Sequence, residues 1–465
     1  MKKYLYLALA LVACNAKPKT DETKEAAINP SEWMQNATIY EVNLRHHTAE
    51  GNLAAFEKDL PRLKELGVDI LWIMPLQPIG KLNRKAVGDT FVADMPNPDY
   101  DKYWGSPYSI SDYKAVNERY GNVADFKRVV EKAHSLGMKV IMDWVANHTA
   151  WDNPWITAHP DWYTKDSTGE ITDPIGADGK PWGWTDVADL NYNNKDMRLA
   201  MIDALKFWIT ECDVDGYRCD VAFEVPTDFW EEARLALDSV KPVFMLAEAE
   251  MHAPDLFNKA FDAYYGWEMH HVFNKLVKGE IATSEFNRIV AHHDSTTGGK
   301  AFQMNFIDSH DENAWNGTIE ERLGDKWKPM AVMSYALPGI PMIYTGQDAG
   351  NNKRLKFFEK DNINWNAPNA QDYFDFYKML NTLKKDSAFA IKSPYKFDTE
   401  YENKSLVILD RGENSAYRII CNMSDKAWAV IGHEISLTTG YSIANNDKLE
   451  GDMLGPWGYV ILKKK

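Results

Sequence analysis

Residues 214–222 read VDGYRCDVA. A short run of β-branched and aromatic residues that closes on an acid predicts a strand with Asp220 at its C-terminal tip. The same construction recurs on both sides of it. Upstream lie ATIYEVNL (37–44), VDILWIMPL (68–76) and MKVIMDWVA (138–146). Downstream follow PVFMLAEAE (242–250), FDAYYGWEM (261–269), AFQMNFIDS (301–309) and IPMIYTGQD (340–348). Between them, NLAAFEKDLPRLKELG (52–67), NVADFKRVVEKAHSLG (122–137) and KDMRLAMIDALKFWITECD (195–213) carry apolar residues at three- and four-residue spacing. The first two end in a Gly suited to a helix C-terminus. Alternating strands and helices make the sheet parallel. Eight strands are what a closed (β/α)8 barrel needs, so the predicted class is an α/β TIM barrel.

Two stretches break the repeat. Residues 149–189 are rich in Trp, Pro, Gly and Asp and lack a period, which predicts an excursion domain after strand three, and long loops of this kind are usually functional. From 393 to 465 the pattern turns to alternating runs such as SLVILD, AYRIICN, AWAVIG and GYVILKK, which predict a C-terminal antiparallel, sandwich-like β domain. The barrel is left with 33–148 and 190–392.

Glu248 in VFMLAEAE and Asp311 in NFIDSHDEN end predicted strands as Asp220 does. The C-terminal face of such a barrel is where its chemistry collects. Cutting a glycosidic bond takes one carboxylate at the anomeric carbon and one carboxylic acid at the leaving oxygen. The net charge of −16 argues against a nucleic-acid partner, whose phosphates are bound by clustered Lys and Arg. A neutral substrate suits it better, and the 17 Trp and 22 Tyr supply faces on which sugar rings stack.

The opening MKKYLYLALALVAC has a basic head, a short apolar run and small residues before Cys14, and it predicts an export signal too short to span a bilayer. Leu11 to Cys14 look like a bacterial lipobox, which implies cleavage before Cys14 and a lipid anchor on its sulfur. The polar residues 15–32 predict a flexible tether. The expected location is the bacterial envelope, at the outer membrane, facing either the periplasm or the outside. Cys212, Cys219 and Cys421 have no regular spacing and predict neither a disulfide framework nor a zinc site.

From about Ala37 to its end the chain resembles the α-amylase family of glycoside hydrolases, family 13. The motifs stand in the family's order: GVDILWIMPLQP, DWVANH, VADLN, DGYRCD, AEAE, FIDSHDE and GIPMIYTGQD. The resemblance implies Asp220 as nucleophile, Glu248 as general acid and base, and Asp311 as the acid that grips sugar hydroxyls and steadies the oxocarbenium-like transition state. It implies Arg218 as the residue orienting Asp220, His148 and His310 as hydroxyl ligands, Tyr108 as a stacking platform and Asp143 as support for Arg218. It also implies Ca2+ near Asn147 and Asp189, and no organic cofactor. Physically, Arg218 is expected to lower the pKa of Asp220, while Glu248 must keep a proton near neutrality.

Three details depart from the family's pattern. Ser309 stands where Asn is common, Phe223 and Glu224 replace a frequent Lys-His, and VADLN matches neither variant associated with dedicated α-1,6-glucosidases or neopullulanases. Arg354 is read either as a further subsite residue or as a solvated surface charge. The activity expected is retaining hydrolysis of α-1,4-glucans. A transglycosylase, an α-1,6-glucosidase, a trehalose-directed enzyme and a non-catalytic glucan-binding envelope protein are the alternatives.

Overall fold

A computed structural model describes residues 32–176, 179–431 and 437–465. The predicted export signal, Cys14 and the tether up to residue 31 lie outside the described residues.

Eight parallel strands close into a barrel: β1 Ile39–Val42, β2 Ile70–Ile73, β3 Lys139–Trp144, β4 Gly216–Cys219, β5 Phe244–Ala247, β6 Ala263–Tyr265, β7 Phe302–Asn305 and β8 Ile340–Tyr344. These are the eight strands expected from the sequence. Each pairs with its chain neighbour, and β1 closes the ring on β8 in the register Ile39 to Met342 and Glu41 to Tyr344. Most of their residues are buried on both faces, which is why these segments read as unbroken apolar runs. β4 enters the ring through Gly216, where a β-carbon would lie 1.9 Å from the Phe244 carbonyl oxygen of β5.

The helices follow from their ends. Leu53–Leu66 starts at Asn52, whose side chain accepts from the Ala55 N–H, and stops at Gly67 in the left-handed region. Val123–Ser135 starts in a reciprocal capping box between Asn122 and Asp125. Lys195–Cys212 is capped by Asn194 and ends at left-handed Asp213.

Two excursions rise from the C-terminal end of the barrel. The one after β3 is clasped at its base, where His148–Ala150 pairs antiparallel with Val187–Asp189. The other was not anticipated. Between β2 and Val123, a long segment folds a small hairpin, Lys85–Val87 against Thr90–Phe91, and brings Tyr108 over the barrel mouth.

The C-terminal strands are β9 Tyr395–Asp398, β10 Leu406–Arg411, β11 Tyr417–Asn422, β12 Trp428–Ala429, β13 Tyr441–Glu450 and β14 Met453–Lys464. Among the described residues they form one six-stranded antiparallel sheet and not the sandwich expected, because the twelve-residue β14 pairs with β11, β12 and β13 and keeps them in a single layer. Alternation sorts its faces. Val407, Leu409, Ile419, Cys421 and Ile461 join the apolar core of the barrel, while Leu406, Ile408, Ile420, Val460 and Leu462 make a separate cluster.

Candidate active site

Arg218, fully buried on β4, is the centre of the barrel mouth. Its Nη1 donates to Asp143 Oδ1 and to Asp220 Oδ1, each at 2.9 Å, and its Nε donates to the Tyr265 hydroxyl at 3.1 Å. Nη2 stands 2.9 Å from Glu248 Oε2, a charge contact whose angle falls short of a hydrogen bond. That carboxylate oxygen instead accepts from the Val221 N–H at 2.8 Å. Val221 adopts φ 36°, a left-handed conformation costly for a β-branched residue, and so turns its N–H toward Glu248. The rings of Trp72, Tyr108 and Tyr265 stand 5.0–5.7 Å from the guanidinium carbon.

A second group hangs from β7 and β1. His310 shares a 2.5 Å contact with Glu41 through Nδ1 and a 2.7 Å contact with the Tyr108 hydroxyl through Nε2, which is also 3.3 Å from Asp311. Tyr108 also donates to Asp143 Oδ2 at 3.3 Å, and Trp72 Nε1 donates to the same oxygen at 3.0 Å. The two groups are therefore one network. Ser309 completes the turn before Asp311 by accepting from the Glu312 N–H at 3.2 Å.

The expected low pKa of Asp220 is overturned. Burial raises it, Arg218 opposes, Asp143 adds to the rise, and the balance is about 6. Glu248 is pushed up to about 7 by burial, against Arg218 and with help from Asp220 and Asp311. Asp143 reaches about 6 for the same leading reason. One guanidinium divided among three carboxyls cannot keep all of them ionised in a dry site. Burial lowers His310, but Asp311 and Glu41 outweigh it and bring the imidazole up to about 9. His148, without such acids, is pulled down by burial to about 4.

These side chains open on a cavity of about 420 Å3 lined by Tyr108, His148, Asp220, Glu248, His310 and Asp311. Arg218 and Asp143 support its floor from beneath. Sequence reasoning missed Glu41, Lys85, Trp184, Asp186, Trp315 and Phe357. Lys85 lies 3.5 Å from Asp186 and ties the hairpin after β2 to the excursion after β3. Glu41 stood in a recognised strand, yet only barrel closure brings it to His310.

Other expected residues lie elsewhere. Phe223 packs edge-on to His252, and neither it nor Glu224 lines the cavity. Arg354 pairs with Glu321 at 2.8 Å, half exposed, outside the cavity. Asp189 pairs with His148, the residue after Asn147, at the base of the excursion, and burial raises it to about 7, with Glu224 and Asp173 adding to the rise. The Asn147 and Asp189 side chains would supply two of the six to eight oxygens that Ca2+ takes. Among the described residues no group of three or more His, Cys, Asp and Glu is placed to hold a metal, so the remaining oxygens would have to come from backbone or amide carbonyls.

Chemically, two neighbouring buried carboxyls with raised proton affinities around one guanidinium can share a single proton, which leaves one acid and one carboxylate, the pair that glycosidic cleavage needs. The Alpha-amylase family, described as "Alpha amylase, catalytic domain", matches residues 21–404. The alpha-amylase MalA of Haloarcula japonica is 24% identical over 416 residues, covering 86% of this chain and 57% of that protein. A cyclomaltodextrinase of Thermoanaerobacter pseudethanolicus is 24% identical over 400 residues, 77% of this chain and 63% of its own. The chain thus spans about three-fifths of the length of these curated relatives. The crystal structure of an alpha-amylase from Lactobacillus plantarum superposes with a TM-score of 0.76 at 28% identity, over 93% of this chain and all of that one.

Proposed function

Since the chain belongs to the α-amylase family, we propose that it is a retaining glycoside hydrolase that cleaves α-1,4-glucosidic bonds of starch or malto-oligosaccharides. The observation that carries this reading is the pairing of Asp220 and Glu248 across one guanidinium, both buried and both with raised proton affinities. Asp220 attacks the anomeric carbon as Glu248 protonates the leaving oxygen, and a glycosyl ester forms. Glu248, now ionised, takes a proton from water, which attacks the ester and releases a sugar of the original anomeric form. Asp311 and His310 hold the hydroxyls of the reacting ring, whose face lies against Tyr108, while His148 binds from the excursion side. Transfer in place of hydrolysis needs only a sugar hydroxyl where the water stands.

The test is product analysis by NMR on maltoheptaose, isomaltose and trehalose. The expected result is hydrolysis of maltoheptaose with the α-anomer appearing first. A β-anomer first product, or activity confined to the other two sugars, would refute the reading. Asp220→Asn is expected to lose roughly 10³-fold or more in kcat. The same proposal keeps the protein on the envelope through Cys14, so Cys14→Ser should move it from the membrane fraction to the soluble one.

A further inference from the structure

Asp311 is held unlike the other two acids. Arg218 touches Asp220 and Glu248 directly, whereas the Asp311 carboxylate, a third exposed, meets His310 Nε2 at 3.3 Å. Its place is therefore set by its backbone. That backbone lies beyond the barrel ladder, since β7 ends at Asn305, the next α-helix starts at Ile319, and Asp311 stands between them, immediately before a π-helical turn, Glu312–Asn316.

The neck of this loop closes on one side chain. Arg322, on the helix Ile319–Leu323 and only 8% exposed, reaches back across it. Its Nη2 donates to the Ile307 carbonyl and to Asp308 Oδ1, both at 2.8 Å, where the chain leaves β7. Its Nε donates to the Gly317 carbonyl at 2.8 Å, where the π-helical turn ends. Nη1 donates to Asn274 Oδ1 at 3.2 Å, which ties the fork to the helix Trp267–Val277, and stands 3.7 Å from Glu312 Oε2. From the same helix buried His270 brings Nε2 to 3.0 Å from that oxygen. Burial raises Glu312, but His270 and Arg322 outweigh it and hold the carboxyl at about 2. A guanidinium presents its N–H groups in one rigid plane, so it fixes the distance between the two segments it bonds, which an ammonium on a flexible stem does not.

We infer that Arg322 is a positioning residue for the reaction: by closing both ends of the loop 307–317 it holds Asp311, with His310 beside it, against the sugar hydroxyls. This rests on the α-glucan reading above and adds to it a residue outside the lining of the cavity.

The experiment compares the wild type, Arg322→Lys, Asp311→Asn and the double variant. Lysine keeps the charge beside Asp308 and Glu312, but one ammonium does not span both ends of the loop. Arg322→Lys is expected to lose about 30-fold in kcat on maltoheptaose with KM changed by about threefold or less, because Asp311 acts in the transition state. In the Asp311→Asn background the same substitution should cost about twofold or less, its target being already gone. A second readout needs no substrate. His310 faces Glu41, Asp311, Tyr108 and Arg218; burial lowers it, and Asp311 and then Glu41 bring it up to about 9. Its NMR titration should fall by about half a unit or more in Arg322→Lys, and since the charge at 322 is conserved, the fall reports retreat of Asp311. Additive losses in the double variant, or an unmoved His310 titration, overturn the inference. If Arg322→Lys does not fold, Asp308→Asn weakens one arm of the fork within the same packing and should lose about fivefold in kcat, again without further loss in the Asp311→Asn background; additive losses there overturn it equally. If the wild type releases nothing from maltoheptaose, the α-glucan reading falls, and the His310 titration still decides whether Arg322 positions Asp311.

Discussion

The proton affinities of Asp220 and Glu248 fix the pH at which the site can work. In the proposed mechanism Asp220 is ionised and Glu248 protonated, and burial raises both carboxyls, to about 6 and about 7. The profile of kcat/KM against pH should therefore be a narrow bell centred between these values, its limbs belonging to the coupled pair. A plateau extending past pH 9 would contradict it. The same raised values make the site a burden on folding. A carboxyl whose pKa is higher folded than unfolded makes the native state hold its proton more tightly, so stability falls as pH rises from about 4 to about 6 and stays reduced above. Asp220→Asn should accordingly raise Tm at pH 7.5 while abolishing turnover, as measured by calorimetry. Glu41 acts through His310. Glu41→Gln should lower the His310 pKa from about 9, visible in an NMR titration, and cut kcat/KM about tenfold at pH 8. The deficit should shrink at pH 6, where the imidazole regains its proton; a merely structural defect would be equal at both.

At the level of elements, β4 carries both the closure of the barrel and its chemistry. Gly216→Ala drives a methyl group into the Phe244 carbonyl, so it should cost more than about 3 kcal/mol and yield insoluble or unfolded protein. Near-normal circular dichroism and Tm in that variant would show that the two strands can part. The strands were legible because a parallel barrel buries both faces, leaving runs such as ILWI and FMLA without polar interruption. Arg218, Asp220, Glu248 and Asp311 were legible because each lies in a local motif. Glu41, Lys85 and Trp315 were not. Glu41 has meaning only once β1 closes on β8, and Lys85 only once two excursions meet. The proton affinity of Asp220 was misjudged because the sequence shows Arg218 two residues away but neither the burial of the carboxyl nor the acids, Asp143 foremost, that stand beside it.

For the whole molecule, the C-terminal sheet is part of the barrel's core and not an appendage. Val407, Leu409 and Ile461 bury one face against it, and the Lys384 amine, with no exposure, donates to the Gly339 and Phe389 carbonyls at the junction. Truncation after residue 392 should strip that face, and the expected product aggregates or melts at least 10 °C lower, with a single transition in the intact chain. The excursion after β3 stands in the opposite relation. Its two ends lie side by side in the clasp of His148–Ala150 with Val187–Asp189, while Asp220 and Glu248 directly follow β4 and β5, and Asp311 stands in the segment after β7. The chain therefore leaves and re-enters the barrel through one doorway. Whatever is threaded between those ends, of other length or lining, meets the same three carboxyls, so under the proposed function descent can exchange the wall that chooses a sugar and inherit the chemistry intact.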